Sequence, residues 1–330
     1  MKQRQEIPNA TEGMRAVYLA RICSLMPLLA LLIFTTACQN KSESPAGNAA
    51  PQPRTFATPD AAAQTLYDAA KSGDTTSILS IFSPDAKDFL LTGDAEEDKA
   101  AFNAFMSDYD KMHRWGKLDN GGQVLNIGIE NYPFPFPLVK NSSGQWYFDS
   151  SEAKKEFLAR QIGDNELTVV DVLNAMADAQ SQYFLKAQLG SGVKQYARKF
   201  ISSEGMHDGL YWKPGAGEPD SPLGPLAARA SAEGYKTGAG EGPAPFHGYF
   251  FRILTAEGHN AQIKNYIVNG NMTGGFAFIA YPAEYRVTGV MTFMVNQDGT
   301  VYERDLGPET AADAKSITSF DPGDSWSPVE

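Results

Sequence analysis

Two hydrophobic rhythms alternate along this chain. In FATPDAAAQTLYDAAKSGD, apolar residues recur at three- and four-residue steps, with Leu66, Ala69 and Ala70 on one side. Thr58 stands where an N-cap belongs, Pro59 at the first helical position and Asp60 in the first turn. Gly73 follows as a stop, so a helix is predicted between them. TTSILSIFSPDAKDFL predicts a second short helix stopped near Pro84, and a third is predicted from about Lys99 to Tyr109. The rhythm then shortens to two. QVLNIGI, FPLV and QWYFD read as strands, the last pair joined through a turn at Asn141–Gly144. Between them, the PFPFP run from Pro133 to Pro137 reads as an edge strand or a polyproline II segment.

The second half repeats the change. GDNELTVVDVLNAMADAQSQYFLKAQL carries Val169, Val172, Leu173, Met176, Gln180 and Tyr183 at helical steps. Asp164 or Asn165 is its predicted cap, and Glu166 its first-turn acid. VKQYARKFI predicts another helical piece after Gly192. WKPGAGEPDSPLGPLAARASAEGYKTGAGEGPAP is poor in large apolar residues and reads as a long surface loop, with a short helix at Leu223–Ala232 and GAGE at both Gly215–Glu218 and Gly238–Glu241. Five apolar runs follow: HGYFFRIL, KNYIVNG, GGFAFIAYP, GVMTFMVN and TVYERDL. Asn269-Gly270 and Asp298-Gly299 predict two-residue hairpin turns, because both residue types accept positive φ. The fold class is therefore α+β: N-terminal helices with a small antiparallel sheet, then a long helix packed on a C-terminal antiparallel sheet.

The N-terminus has a third pattern. Arg15 and Arg21 precede an apolar run from about Ile22 to Phe34, too short for a comfortable membrane span and suited to a secretory signal. Small residues Thr35, Thr36 and Ala37 then lead to Cys38. This resembles a bacterial lipobox, and implies a lipid-modified Cys38 inserted in a bilayer. Gln39, by the same resemblance, implies an outer-membrane destination facing the periplasm. Residues 1–13 add nothing a signal needs, which makes Met14 an alternative start. Residues 39–54 are polar and rich in Pro and Ala, as a flexible tether is.

Composition narrows the function. Against 28 Lys and Arg stand 39 Asp and Glu, a net charge of -11, with no basic cluster interleaved with aromatics. Nucleic-acid binding is not expected. The two cysteines are Cys23, within the signal, and Cys38. No thiol remains beyond Cys38 for a disulfide, a thiolate metal site or a cysteine nucleophile.

The ordered elements ATPDAA, DNEL, DGLYW, SPLGPL, HGYFFRILTAEG, MTGGFAFIAYPAEY, GVMTFMVNQDG and DLGP resemble the bacterial family called domain of unknown function 2950, over residues 56–329. The resemblance implies no reaction or ligand. The first half also resembles the nuclear transport factor 2-like cone fold. A long helix followed by GYFFRIL and GVMTFMVNQDGTVYERD is similar in layout to type IV pilin-like globular domains, without their N-terminal assembly helix. The expected organisation is signal peptide (1–37), lipidated cysteine and tether (38–55), N-terminal α+β domain (56–160) and C-terminal α+β, pilin-like domain (161–330).

Catalytic motifs are absent: no G-x-S-x-G, no H-E-x-x-H and no P-loop. His113, His207, His247 and His259 are scattered, and zinc would need them to converge with a carboxylate such as Asp208. No metal site and no cofactor is predicted. For NQDGTVYERD to be a calcium loop, its first carboxylate would stand where Met294 precedes it, so a turn is the better reading. Glu284, Asp298 and Asp305 lie near strand ends, where carboxylates are solvated or paired with Arg252, Arg286 or Arg304. The binding candidates are His207, Asp208, His247, Arg252, Glu284, Arg286 and Asp305. The expected role is a non-catalytic envelope lipoprotein that binds a partner protein or a cell-wall component. The alternatives are a small-molecule-binding module and an envelope hydrolase using His207 and His247.

Overall fold

The computed structural model describes residues 52–91, 95–186, 193–233, 244–262 and 264–329. The signal, Cys38 and the second GAGE lie outside them. The chain divides into two compact units between Arg160 and Gln161.

In the first unit, helix α1 (Pro59–Ser72) starts as its sequence dictates. The Thr58 side chain accepts the Ala61 N–H, Pro59 occupies the first turn, and Gly73 closes the helix at φ 67°. Short helices α2 (Thr75–Leu79) and α3 (Lys87–Leu90) flank a 3-10 turn at Pro84–Ala86, and α4 spans Ala95–Lys111. Strands β1 (His113–Lys117), β2 (Gln123–Ile127), β3 (Tyr132–Pro133), β4 (Leu138–Lys140) and β5 (Trp146–Phe148) form an antiparallel sheet in the order β1-β2-β4-β5, with β3 also on β2. The PFPFP run supplies β3 and then core. Phe136 is fully buried, its ring 4.1 Å from that of Phe82. Phe56 is stitched to Trp146 by backbone hydrogen bonds in both directions, at 2.7 and 2.9 Å.

Helix α5 runs from Ser150 to Lys186, and this corrects the predicted start. Asp149 caps it, its Oδ1 accepting the Ser151 and Glu152 N–H groups. Gly163, Asp164 and Asn165 are helical rather than a cap. Burial of Ile162, Glu166 and Val169, and the hydrogen bond from Asn165 Nδ2 to the Thr288 carbonyl, outweigh the weak local propensity, a deficit of about 1 kcal/mol at the glycine.

The second unit continues with α6 (Gly224–Ala232) and a sheet of β6 (Tyr249–Leu254), β9 (Ala277–Pro282), β10 (Met291–Asn296), β11 (Val301–Asp305) and β12 (Ser327–Pro328), all antiparallel. The KNYIVNG run does not join it. β7 (Ile267–Val268) and β8 (Asn271–Met272) make a separate ribbon whose two-residue turn has Asn269 at φ 49° and Gly270 at φ 81°. Helix α7 (Thr310–Ser316) precedes the last strand. Val169, Val172, Leu173 and Met176 of α5 share one apolar core with Phe278, Phe293 and Val295 of the sheet, so the helix does pack on the antiparallel strands.

Two further expectations are corrected. Only Gly299 has positive φ at the Asp298-Gly299 turn. Gly299 N–H donates to the Asn296 carbonyl, and Val295 pairs with Val301, so the loop is longer than two residues. VKQYARKFI is irregular, not helical. Its backbone groups are taken up elsewhere: Tyr196 N–H donates to Met272, and the fully buried Gln180 amide holds both the N–H and the carbonyl of Ala197 at 2.8 Å. A helix there would leave those partners unpaired.

Candidate binding site

The segment from Gln195 to Ser231 borders three open crevices of about 300, 380 and 680 Å3. It is anchored from α5. Tyr183 donates its hydroxyl to the His207 carbonyl at 2.9 Å, and burial pushes that phenol up to about 12. Backbone bonds between Ser202 and Tyr211, and between Tyr211 and Phe200, then fold the segment on itself. Gly209 permits the approach, since a Cβ there would lie 2.7 Å from the Ser202 nitrogen.

His207 stacks on Trp212 with ring centroids 4.3 Å apart, and its Nε2 lies 3.8 Å from Glu218. The Trp212 indole donates to the Pro219 carbonyl. The smallest crevice opens between His207, Trp212, Lys213 and Glu218. The largest shares Tyr211 and Lys213 with it and continues to Asp220, Ser221 and the start of α6. The third lies beside Tyr196, Arg198, Lys199 and Asp208.

One cluster has the outline of a serine–lysine pair. Lys199 Nζ lies 2.8 Å from Ser203 Oγ and 2.6 Å from Asp208 Oδ2. Asp208 also accepts the Ser203 N–H and hydroxyl. The lysine hydrogen bond holds the Asp208 carboxyl below the usual range. Lys199 and Ser203 both donate to Asp208, so the three side chains close on one another. The cluster braces the loop.

A family model described as a protein of unknown function, DUF2950, matches residues 53–329. The chain belongs to that family. No curated protein and no solved structure matches it.

The other candidates of this DUF2950 chain are dispersed. His247, at φ 46°, places Nε2 2.8 Å from Glu233 of the turn after α6. Burial alone would raise the Glu233 carboxyl, but the Arg229 hydrogen bond and the His247 and Arg229 charges outweigh it and hold it low. Arg252 donates to the Ala314 and Ile317 carbonyls, closing the end of α7. Glu284 opens a turn in which the Val287 and Thr288 N–H groups donate to its carbonyl, and its side chain is exposed. Arg286, at φ 61°, lies over the Tyr285 ring, so neither it nor another arginine pairs with Glu284 among the described residues. Tyr285 donates to Asp305, which also accepts the Gly307 N–H. Among the described residues no three His, Cys, Asp or Glu come together as a metal-binding group. The structure thus joins His207 and Asp208 to one crevice region, and Arg286 and Asp305 to one aromatic contact.

Sequence reasoning missed two buried carboxylates. Glu166 accepts the N–H groups of Val290 and Met291, and Tyr249 approaches it at 3.4 Å. Burial pushes its carboxyl above the usual range, although the two backbone bonds pull the other way. Its signal was legible, since Glu166 is in phase with Val169 and Leu173 on the apolar face. Glu257 accepts from Tyr266 at 2.7 Å and Gln297 at 2.6 Å, with Lys264 at 3.8 Å. Burial would raise it, but these partners hold it below the usual range. No pattern in TAEGHN marks it. Both groups tie strands and loops together.

Proposed function

We propose that this DUF2950 protein is a non-catalytic binding module of the bacterial envelope, held at a membrane by lipid on Cys38. It takes a cell-wall component or a partner protein in the crevices around Tyr211–Lys213. The observation that carries the reading is the shared lining: Tyr211 and Lys213 border two crevices and sit next to the His207–Trp212 stack. Aromatic faces beside a cation suit recognition of a polar ligand. The groups that would otherwise serve as acid, base or nucleophile are engaged in bracing contacts, at Asp208–Lys199, His247–Glu233 and Arg252–Ala314. The basic–apolar–small pattern ending at Cys38 supports the lipid anchor.

The test is photocrosslinking in native envelopes. A photoreactive residue replaces Ser231, an exposed residue of the crevice lining, in one full-length variant and Glu309, outside the lining, in another. A discrete adduct from position 231 and none from 309 is expected. A fatty-acid analogue should label the wild type and not Cys38→Ala. Equal adducts from both positions, or labelling that survives Cys38→Ala, would overturn the corresponding part of the reading.

A further inference from the structure

The lining of the 680 Å3 crevice combines polar and apolar residues. Ser221 is one of the polar ones. It is only 3% exposed, and its hydroxyl has no hydrogen-bond partner among the described residues. A buried hydroxyl left without a partner is costly, and ligand binding is one way in which it is relieved. Gly224 and Pro225, the first two residues of the nine-residue α6, line the crevice beside it. The positive end of that helix dipole therefore meets the same space, with the Gly224 N–H donated to the Ser221 carbonyl and no N–H on Pro225, so the helix contributes its field rather than a free donor. Lys213 adds a full positive charge, exposed and without an ion pair among the described residues. Three features of this lining favour an anion.

Asp220 lines the crevice too, and it restricts the choice. A carboxylate beside the site repels a multiply charged anion such as phosphate, and welcomes a ligand that pairs a single negative charge with an N–H donor. A peptide C-terminus has that arrangement: a terminal carboxylate and, one residue back, amide N–H groups. The apolar lining includes Tyr211 and, from α6, Ala227 and Ala228, which leave room for small apolar side chains. The volume falls within the range of about 300–1,000 Å3 usual for small-molecule sites.

We propose that this crevice receives the terminal carboxylate of a short peptide with small apolar side chains, held by Lys213, Ser221 and the start of α6, with Asp220 accepting a peptide N–H. The proposal rests on the binding reading above and deepens it. Two sources share this chemistry, the C-terminus of a protein and the peptide of a cell wall, and they differ in the chirality of alanine.

The experiment titrates the full chain in detergent with N-acetyl-Ala-Ala, in L,L and D,D forms, and follows backbone chemical shifts in α6. Saturable shifts are expected from at least one form, and the tighter form names the source. The C-terminal amide of the same peptide should bind about tenfold more weakly or worse, since a charge-assisted hydrogen bond is lost. Lys213→Gln, an exposed change, should weaken binding about as much as the amide does. Ser221→Ala should weaken it about threefold or more with a melting temperature unchanged or raised, since the free protein loses an unpartnered buried hydroxyl. Inorganic phosphate should not compete. Equal binding of the amide, effective competition by phosphate, or indifference to Lys213→Gln overturns the assignment. If position 231 forms its crosslink but neither peptide binds, the peptide assignment falls and the binding reading stands. If both experiments fail, both readings fall.

Discussion

Glu166 accepts the N–H of Val290 at 2.8 Å, across 124 residues of sequence. The carboxylate thereby fixes the long helix to the first residues of a strand, through a bond that neither segment makes alone. Burial raises its pKa, so the folded state holds this proton to higher pH than the unfolded chain does. The stability contributed by this group is complete below its ordinary value of 4.5, and is lost as pH rises through the elevated folded value. Glu166→Gln should remove that slope. Urea unfolding of both proteins across acid to neutral pH should show wild type losing stability relative to Glu166→Gln as pH rises. A constant difference would contradict the assignment. Glu166→Ala should cost about 1–3 kcal/mol at every pH, because two buried N–H groups lose their acceptor.

Glu257 has the opposite sign. Its carboxyl is held below the ordinary 4.5, so its contribution is present above that value and is lost as pH falls through the folded one. Tyr266→Phe deletes one of its donors. The expected result is a loss of about 1–3 kcal/mol at neutral pH, shrinking as the solution is acidified. Equal losses at neutral and acid pH would show that the Tyr266 hydroxyl does not act through this carboxylate.

Two glycines test two different constraints. Gly299 has φ 79° and open space around it, whereas a Cβ on Gly289 would lie 2.0 Å from the Tyr249 hydroxyl. Gly299→Ala should therefore cost only backbone strain, about 1–2 kcal/mol. Gly289→Ala meets a fully buried ring and should cost about 3 kcal/mol or more, at the upper end for overpacking. Adding Tyr249→Leu should recover part of the Gly289→Ala loss and none of the Gly299→Ala loss, as read by thermal melts.

Arg252 closes helix α7 by donating to two carbonyls near its end. Arg252→Ala should release that end at a cost of about 1.5–3 kcal/mol. Amide exchange over residues 310–317 should quicken while β9 and β10 keep their protection. Arg252→Lys presents one compact cation instead of a fork and should restore only part of the protection. Unchanged exchange in Arg252→Ala would remove its capping role.

What the sequence made legible is what local chemistry decides. Thr58, Pro59 and Gly73 bracket α1 because a cap, a fixed φ and a left-handed stop act within one turn of helix. Asn269-Gly270 makes its hairpin for the same reason. Reading failed where distant partners decide. Gly163-Asp164-Asn165 looks like a helix start, yet packing by Ile162 and Val169 carries α5 through it. VKQYARKFI has helical spacing, yet Gln180 and Met272 claim its backbone. The binding candidates divide in the same way. His207 and Trp212 stand in one short stretch, HDGLYW, but the burial of the Ser221 hydroxyl and the Glu257 network are set by parts of the chain far from them in sequence.

The pairing of Phe56 with Trp146 has a mechanical consequence. Tension arriving along the chain from its N-terminal side reaches Phe56 before it reaches helix α1. There it meets two backbone hydrogen bonds and a buried ring set edge-on against Phe148. Load passes sideways into strand β5, and α1 is shielded from stretching. Pulling on Phe56 therefore loads Trp146 and strand β5 first, and helix α1 only after the Phe56–Trp146 pair has parted.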